Sequence, residues 1–233
     1  MGTPPPPHST RLTDHPRFHD LLFHSLEYVL VGWVHPLLWW RIRSHCTALD
    51  DLVTLRLRHL RTSCPQPHQL NLPPHVDIGV PAAVVELASL GTHGTALGRA
   101  ECLLGVKKLV EAHLKGALAE QRSYAGDADG GERVTTDGGR VTGVTEEEVT
   151  ALLVITLIEC QCEQLVSNLY YASHFVFSLP DAHPIWVGIG LLRAALQRIM
   201  QLDVSSCAGA SGLSPSIRKQ VSLQDLIKVS KLF

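Results

Sequence analysis

This chain has little of what usually announces a chemistry. It carries no surplus of one charge: 20 Lys and Arg stand against 22 Asp and Glu, a formal net charge of −2. With a pI near 6.7 it offers no electrostatic footprint for nucleic acid, so no nucleic-acid partner is expected. The sequence has no G-x-x-x-x-G-K-[ST] phosphate loop, no G-x-S-x-G elbow and no H-E-x-x-H helix, which excludes the familiar P-loop, hydrolase and zinc-protease sites. Its six cysteines, Cys46, Cys64, Cys102, Cys160, Cys162 and Cys207, fall at irregular spacings with no secretory signal ahead of them. Reduced thiols in a cytoplasmic protein are the expectation. Cys160-Gln-Cys162 lacks a second pair at zinc-site spacing, so neither a metal nor a cofactor is expected. The thirteen histidines are scattered singly, and a lone His113 or His174 without a proton-relay partner reads as a structural group rather than a catalyst.

A long uninterrupted apolar run is missing as well. The richest stretch, FHDLLFHSLEYVLVGWVHPLLWWRI from Phe18 to Ile42, is broken by His24, Glu27 and His35, and Pro36 is expected to break or kink its helix. A membrane span wants ~20 apolar residues with few charges, so a core helix burying Phe23, Tyr28, Trp33, Trp39 and Trp40 is preferred over a span.

What the chain does have is helical periodicity. At 233 residues and 45% hydrophobic it can bury a substantial core. Residues 1–16 are Pro-rich and polar, the composition of a disordered arm. Leu103, Val106, Val110 and Leu114 recur at helical spacing and predict one buried stripe. Residues 123–143 hold Gly126, Gly130, Gly131, Gly138, Gly139 and Gly143, and predict a flexible insertion. Its aspartates do not make a calcium loop: counted from Asp127, the sixth and twelfth places hold Glu132 and Gly138 where Gly and Glu are required. Thr145-Glu146-Glu147-Glu148 is a capping box, which fixes a helix start near Glu146. The run from Val149 to Ile158 is apolar nearly all round and predicts a central helix. Another helix follows from Ile185 to Leu202, with Gly188 and Gly190 loosening its beginning. Residues 206–216 form a linker, and 217–233 a basic amphipathic helix that docks on the domain or touches a membrane surface peripherally.

The order TEEEVTALLVITLIECQCEQLVSNLYYASHFVF and then LLRAALQRIMQLD, across residues 145–203, resembles the second half of the Rab exchange domain named after vacuolar protein sorting protein nine. The first half extends the likeness: DDLVTLRLRHL from Asp50 matches an acidic-start helix, AAVVELASL from Ala82 an A-x-x-E-L helix, and RAECLLGVKKLV from Arg99 the helix after it. The resemblance covers about residues 17–205 and implies an all-α, layered helical bundle of that type. It implies guanine-nucleotide exchange on an early-endosomal Rab-class small GTPase, at the cytoplasmic face of endosomal membranes.

In that family an acidic residue at the start of the apolar helix reaches the phosphate-loop Lys of the GTPase and substitutes for the lost phosphate charge. Laid on the family's A-D-D-L-L-P-x-L, Glu147 and Glu148 take the two Asp places and Ala151 the Pro. This makes Glu147 the acidic finger, with Glu148 and Ala151 beside it. A role limited to compensating the helix dipole competes for Glu147, since acidic residues are favoured in any first turn. Ser167, Asn168 and Tyr171 match the family's S-N-x-x-Y run. Asn168 and Tyr171 are thereby placed at the contact, although Asn168 equally suits a side-chain-to-backbone bond at a helix turn. The family's G-E-x-G-Y segment is replaced by LPDAHPIWVGIGLL, where Trp186 or Val187 takes the place of the Tyr. An adaptor of the same fold without exchange activity is the alternative, and a membrane-embedded helical protein a third.

Overall fold

The computed structural model describes residues 18–63, 70, 72, 79–127 and 144–202, the backbone alone at 121–127. Among these residues there is no strand. The elements in chain order are α1 (Phe18–Ser63), α2 (Pro81–Ala88), a 3₁₀ turn (Leu90–Thr92), α3 (Ala96–Asp127), α4 (Glu146–Cys160), α5 (Leu165–His174) and α6 (Pro184–Gln201). The all-α expectation therefore holds. The arm at 1–16, the linker at 206–216 and the amphipathic segment at 217–233 lie outside the described residues.

Local chemistry accounts for most of the boundaries. α2 and α6 open on Pro81 and Pro184, whose fixed φ and missing N–H suit a first turn. At α6, His183 Nδ1 accepts from the Ile185 amide at 3.3 Å. The Gly98 amide donates to Thr95 Oγ1 at 3.1 Å, which caps α3. α4 has the full capping box: Thr145 Oγ1 accepts from the Glu148 amide at 3.2 Å and Glu148 Oε2 accepts from the Thr145 amide at 2.9 Å.

α4 is the central helix, with Val149 and every residue from Ala151 to Ile158 buried. It packs against α1, α2, α3 and α6. The one polar side chain in that run, Thr156, returns its hydroxyl to the Leu152 carbonyl at 2.9 Å, so the run buries no unmet hydroxyl. The stripe Leu103, Val106, Val110 and Leu114 on α3 is buried, and α3 packs against α6. Gly188 has a role beyond loosening the start of α6: a Cβ there would stand 3.4 Å from the Leu104 Cα, so its bare backbone permits a close approach between the two helices.

Three expectations are corrected. Pro36, expected to break or kink its helix, does not break it, and the separate helix starting at Asp50 is part of the same helix of 46 residues. Pro36 removes one backbone donor, yet Val31 and Ile42 on either side are buried against the domain and hold the same edge in place. The aromatic residues read as core are mostly outside: Phe23 is 61% exposed, Tyr28 65%, Trp33 79% and Trp40 58%, with only Trp39 packed against the core. α3 continues to Asp127, so the first five residues of the predicted insertion are helical. Residues 128–143 lie outside the described residues.

Asp50 is the pivot of the first correction. Mid-helix and 7% exposed, it serves the start of a different helix. Its Oδ1 accepts from the Val166 amide at 2.8 Å and the Ser167 amide at 3.3 Å, and its Oδ2 accepts from the Ser167 hydroxyl. α5 begins after Gln164, a left-handed residue that makes no side-chain cap of its own, so Asp50 supplies the cap from α1. Burial raises the Asp50 carboxyl above the usual carboxylate range, against the opposing pull of the Ser167 and Val166 bonds.

Asp50→Ala is expected to cost about 2–4 kcal/mol in urea unfolding, because two α5 amides and a hydroxyl lose their acceptor. Asp50→Asn keeps one oxygen and should cost about half as much. The folded carboxyl holds its proton to higher pH than the unfolded one. Its contribution is therefore complete at low pH and declines as pH rises from the ordinary carboxylate range through the raised value, a decline that Asp50→Asn should lack. Equal losses for the Ala and Asn variants would show that the cap does not hold α5.

Candidate functional site

The residues that the sequence places at a GTPase contact divide into surface and core. Glu147 stands exposed in the first turn of α4, and no hydrogen bond or ion pair to another described residue engages it. Glu148, one residue on, is committed to the capping box. Because the cap is closed by Glu148, the Glu147 carboxylate is left at the positive end of the helix dipole, facing solvent. Val187 is exposed in the first turn of α6, and half-buried Trp186 donates its indole N–H to the Pro180 carbonyl at 2.9 Å. α4 and α6 pack against each other.

The other three are inside. Ala151, Asn168 and Tyr171 are each at most 1% exposed, so none presents a surface to a partner protein. Asn168 donates from Nδ2 to the Gln164 carbonyl at 2.9 Å and more weakly to Glu163 at 3.4 Å. It thereby braces the turn between α4 and α5, where Gln161 and Gln164 both have positive φ. That is the structural reading of Asn168 drawn from the sequence.

Tyr171 belongs to a buried polar cluster that sequence reasoning missed. Its hydroxyl lies 3.1 Å from His35 Nδ1. The guanidinium of Arg99, itself 1% exposed, stacks over Trp39 with its carbon 3.7 Å from the ring centroid and lies 5.0 Å from that of Tyr171. Arg99 Nε donates to the His93 carbonyl at 2.9 Å, while Nη1 is buried with no hydrogen-bond partner among the described residues. No carboxylate neutralises this cation among the described residues; the aromatic faces do so in part. Burial lowers Arg99 to about 10, and burial followed by the Arg99 charge lowers His35. Burial raises Tyr171, opposed by Arg99. The only sequence signals were an Arg at the start of an apolar helix and a His on an apolar one, and neither reveals that the two meet.

Beside this cluster, Cys160 ends α4 and Cys162 follows the turn. The proximity of the two thiols lowers Cys160 and raises Cys162, whose Sγ donates to the Glu163 carbonyl at 3.5 Å. Cys46, beside Asp50, and Cys102, beside Ser89, are buried and raised to about 11, chiefly by desolvation, which makes both inert. Among the described residues no group of three or more His, Cys, Asp or Glu is arranged to hold a metal ion. No protein-family model, curated protein or solved structure matches this chain.

Two measurements check the buried cluster. Arg99→Ala should cost about 2–5 kcal/mol by leaving a cavity beneath Trp39, whereas Arg99→Met, which fills it without a desolvated charge, should stay within ~1.5 kcal/mol of wild type. An equal loss for Met would show that the cation over the rings, not the volume, is what holds. His35 is lowered in the folded state, so its contribution is complete above the ordinary imidazole range and is lost as pH falls through the lowered value. The melting temperature should drop on that limb for wild type and stay flatter for His35→Gln.

Proposed function

We propose that this chain is a guanine-nucleotide exchange factor for a small GTPase of the early-endosomal Rab class, peripheral to endosomal membranes, with Glu147 as its acidic finger. The observation that carries the reading is the division of labour at the start of α4. Glu148 closes the cap, and Glu147 is left exposed and unengaged among the described residues at the tip of the central helix. A carboxylate held there is matched to a cationic target such as the phosphate-loop Lys of a GTPase. Exchange needs no covalent step, since the factor has only to hold the nucleotide-free GTPase more tightly than the loaded one. Trp186 and Val187, in the first turn of a neighbouring helix, supply apolar surface for the same partner.

A second reading, a Vps-nine-like adaptor without exchange activity, is favoured by a specific observation. Ala151, Asn168 and Tyr171 serve the core and not a surface, and the G-E-x-G-Y segment is absent.

The deciding experiment is release of labelled GDP from a panel of Rab GTPases. Glu147→Ala should leave the folding stability within about 1 kcal/mol of wild type and slow release tenfold or more, a loss of ~1.4 kcal/mol or above. Glu147→Asp should retain activity. Equal rates for wild type and Glu147→Ala would remove the finger assignment, and inactivity of wild type on every Rab would favour the adaptor.

A further inference from the structure

The N-terminal half of α1 has two edges of different character. One edge is tied to the domain. Glu27 Oε2 accepts from the amides of Ser178 at 2.7 Å and Phe177 at 3.3 Å. His24 Nδ1 and Ser178 Oγ are 2.8 Å apart, His35 meets Tyr171, and Val31 is buried. The other edge is apolar and uncovered. Phe23, Leu26, Leu30, Trp33, Leu37 and Trp40 are all exposed, and they follow one another at spacings of three, four, three, four and three residues. That is the a/d repeat of a two-helix seam, with Phe23, Leu30 and Leu37 at a and Leu26, Trp33 and Trp40 at d. Ser44 and Thr47 occupy the next two places of the repeat, so the seam stops there.

We infer that this seam pairs with the same seam of a second copy, in antiparallel orientation, making the protein a homodimer through α1. Charge decides the orientation. Asp20 and Arg41 are exposed at the e positions that flank the two ends of the seam, and Arg41 lies along the ring of its own Trp40 at 5.0 Å. Antiparallel pairing, with Phe23 against the second copy's Trp40, sets each Asp20 beside the other copy's Arg41. Parallel pairing would instead face e positions with g positions, setting Arg41 against the second copy's Pro36 with no opposite charge beside it. The area suffices: aromatic side chains bury ~150–250 Å² each, so three from each copy together with three leucines exceed the ~1,000 Å² that a stable interface needs. The paired stretch spans about 26 Å at 1.5 Å per residue.

α1 is also long and apolar enough to cross a membrane, and the same geometry argues against that occupant. A bilayer around the seam would draw Glu27, His24 and the polar backbone of residues 175–178 into hydrocarbon with it, at several kcal/mol for each unmet group. Nor does the helix carry any Lys or Arg between Phe18 and Trp40 to hold it on an anionic surface.

The test is light scattering of the purified full chain through gel filtration, with tryptophan emission and vesicle flotation alongside. Wild type should elute at twice the 25.5 kDa chain mass with blue-shifted emission. Trp33→Glu should elute as a monomer with unchanged helical circular dichroism. Asp20→Lys alone and Arg41→Glu alone should each raise the dimer dissociation constant about tenfold, and the double variant should restore it, because the swap re-forms the antiparallel pair. A monomeric wild type, a dimer indifferent to Trp33→Glu, or single charge variants without effect would overturn the proposal. So would flotation of monomers with phosphatidylserine vesicles, which would assign the seam to lipid.

Discussion

The arrangement rests on one buried carboxylate. Asp50 projects from the middle of α1 and satisfies the first amides of α5, 116 residues away along the chain. Without it the helix would begin with unmet donors in the interior, since Gln164 contributes no side-chain cap. The bond also fixes where the two helices cross. Once α5 is pinned at Asp50, its next turn carries Tyr171 to His35 and Trp39, a second attachment further toward the start of α1. The third attachment comes from the segment after α5, where the Phe177 and Ser178 amides reach Glu27. A polar group of α1 meets α5 or its continuation at each of these levels, so the long helix is positioned by directional bonds rather than by apolar contact alone.

Those bonds explain how an apolar helix can stay half uncovered. Hydrophobic burial is indifferent to direction, and a helix such as residues 18–42, apolar on nearly every side, would pack equally well in many rotations. The bonds at Glu27, His35 and Asp50 select one of them. The edge bearing Trp33 and Leu37 is left outward because the other edge is held in. Further along, Val53, Leu57 and Leu60 are buried, and Arg56 donates to the Ile199 and Leu202 carbonyls at the end of α6. There α1 behaves as an ordinary domain helix, bonded to the C-terminal orphans that α6 must satisfy.

Much of this was legible in the sequence, and the failures have physical causes. The capping box, the all-round apolar α4 and the α3 stripe were readable because each depends on residues within a few positions of one another. Asp50 was read as a helix start because the resemblance aligned it with an acidic-start helix; its actual partner lies in another helix, and no local pattern encodes that. The Phe18–Ile42 aromatics were assigned to the core because composition records that a surface is apolar and says nothing of what covers it. Pro36 was taken as a break or a kink, yet a proline ends a helix only where the lost bond outweighs tertiary contacts on both sides, and here Val31 and Ile42 are both buried. At the candidate site, the exposure of Glu147 followed from the capping box. The burial of Asn168 and Tyr171 did not, since a matched motif is silent about which way its residues face.

The two surface features occupy different parts of the fold, and that separation bears on how they combine. Glu147 is fixed by the start of α4, whose cap is closed within four residues and needs nothing from α1. The α1 seam is fixed by bonds to α5 and to the segment that follows it. Pairing two copies along α1 therefore changes nothing in the local geometry that presents the carboxylate. It would instead alter how many such carboxylates one assembly carries, and two sites on one rigid pair raise the effective concentration of the second once the first has engaged. Coupling between seam and site has a direct route, since α1 packs against α4, and a second through the buried cluster of Arg99, Trp39 and Tyr171, where α1, α3 and α5 meet. Arg99 there holds an N–H with no hydrogen-bond partner among the described residues, which makes it sensitive to a shift of α1.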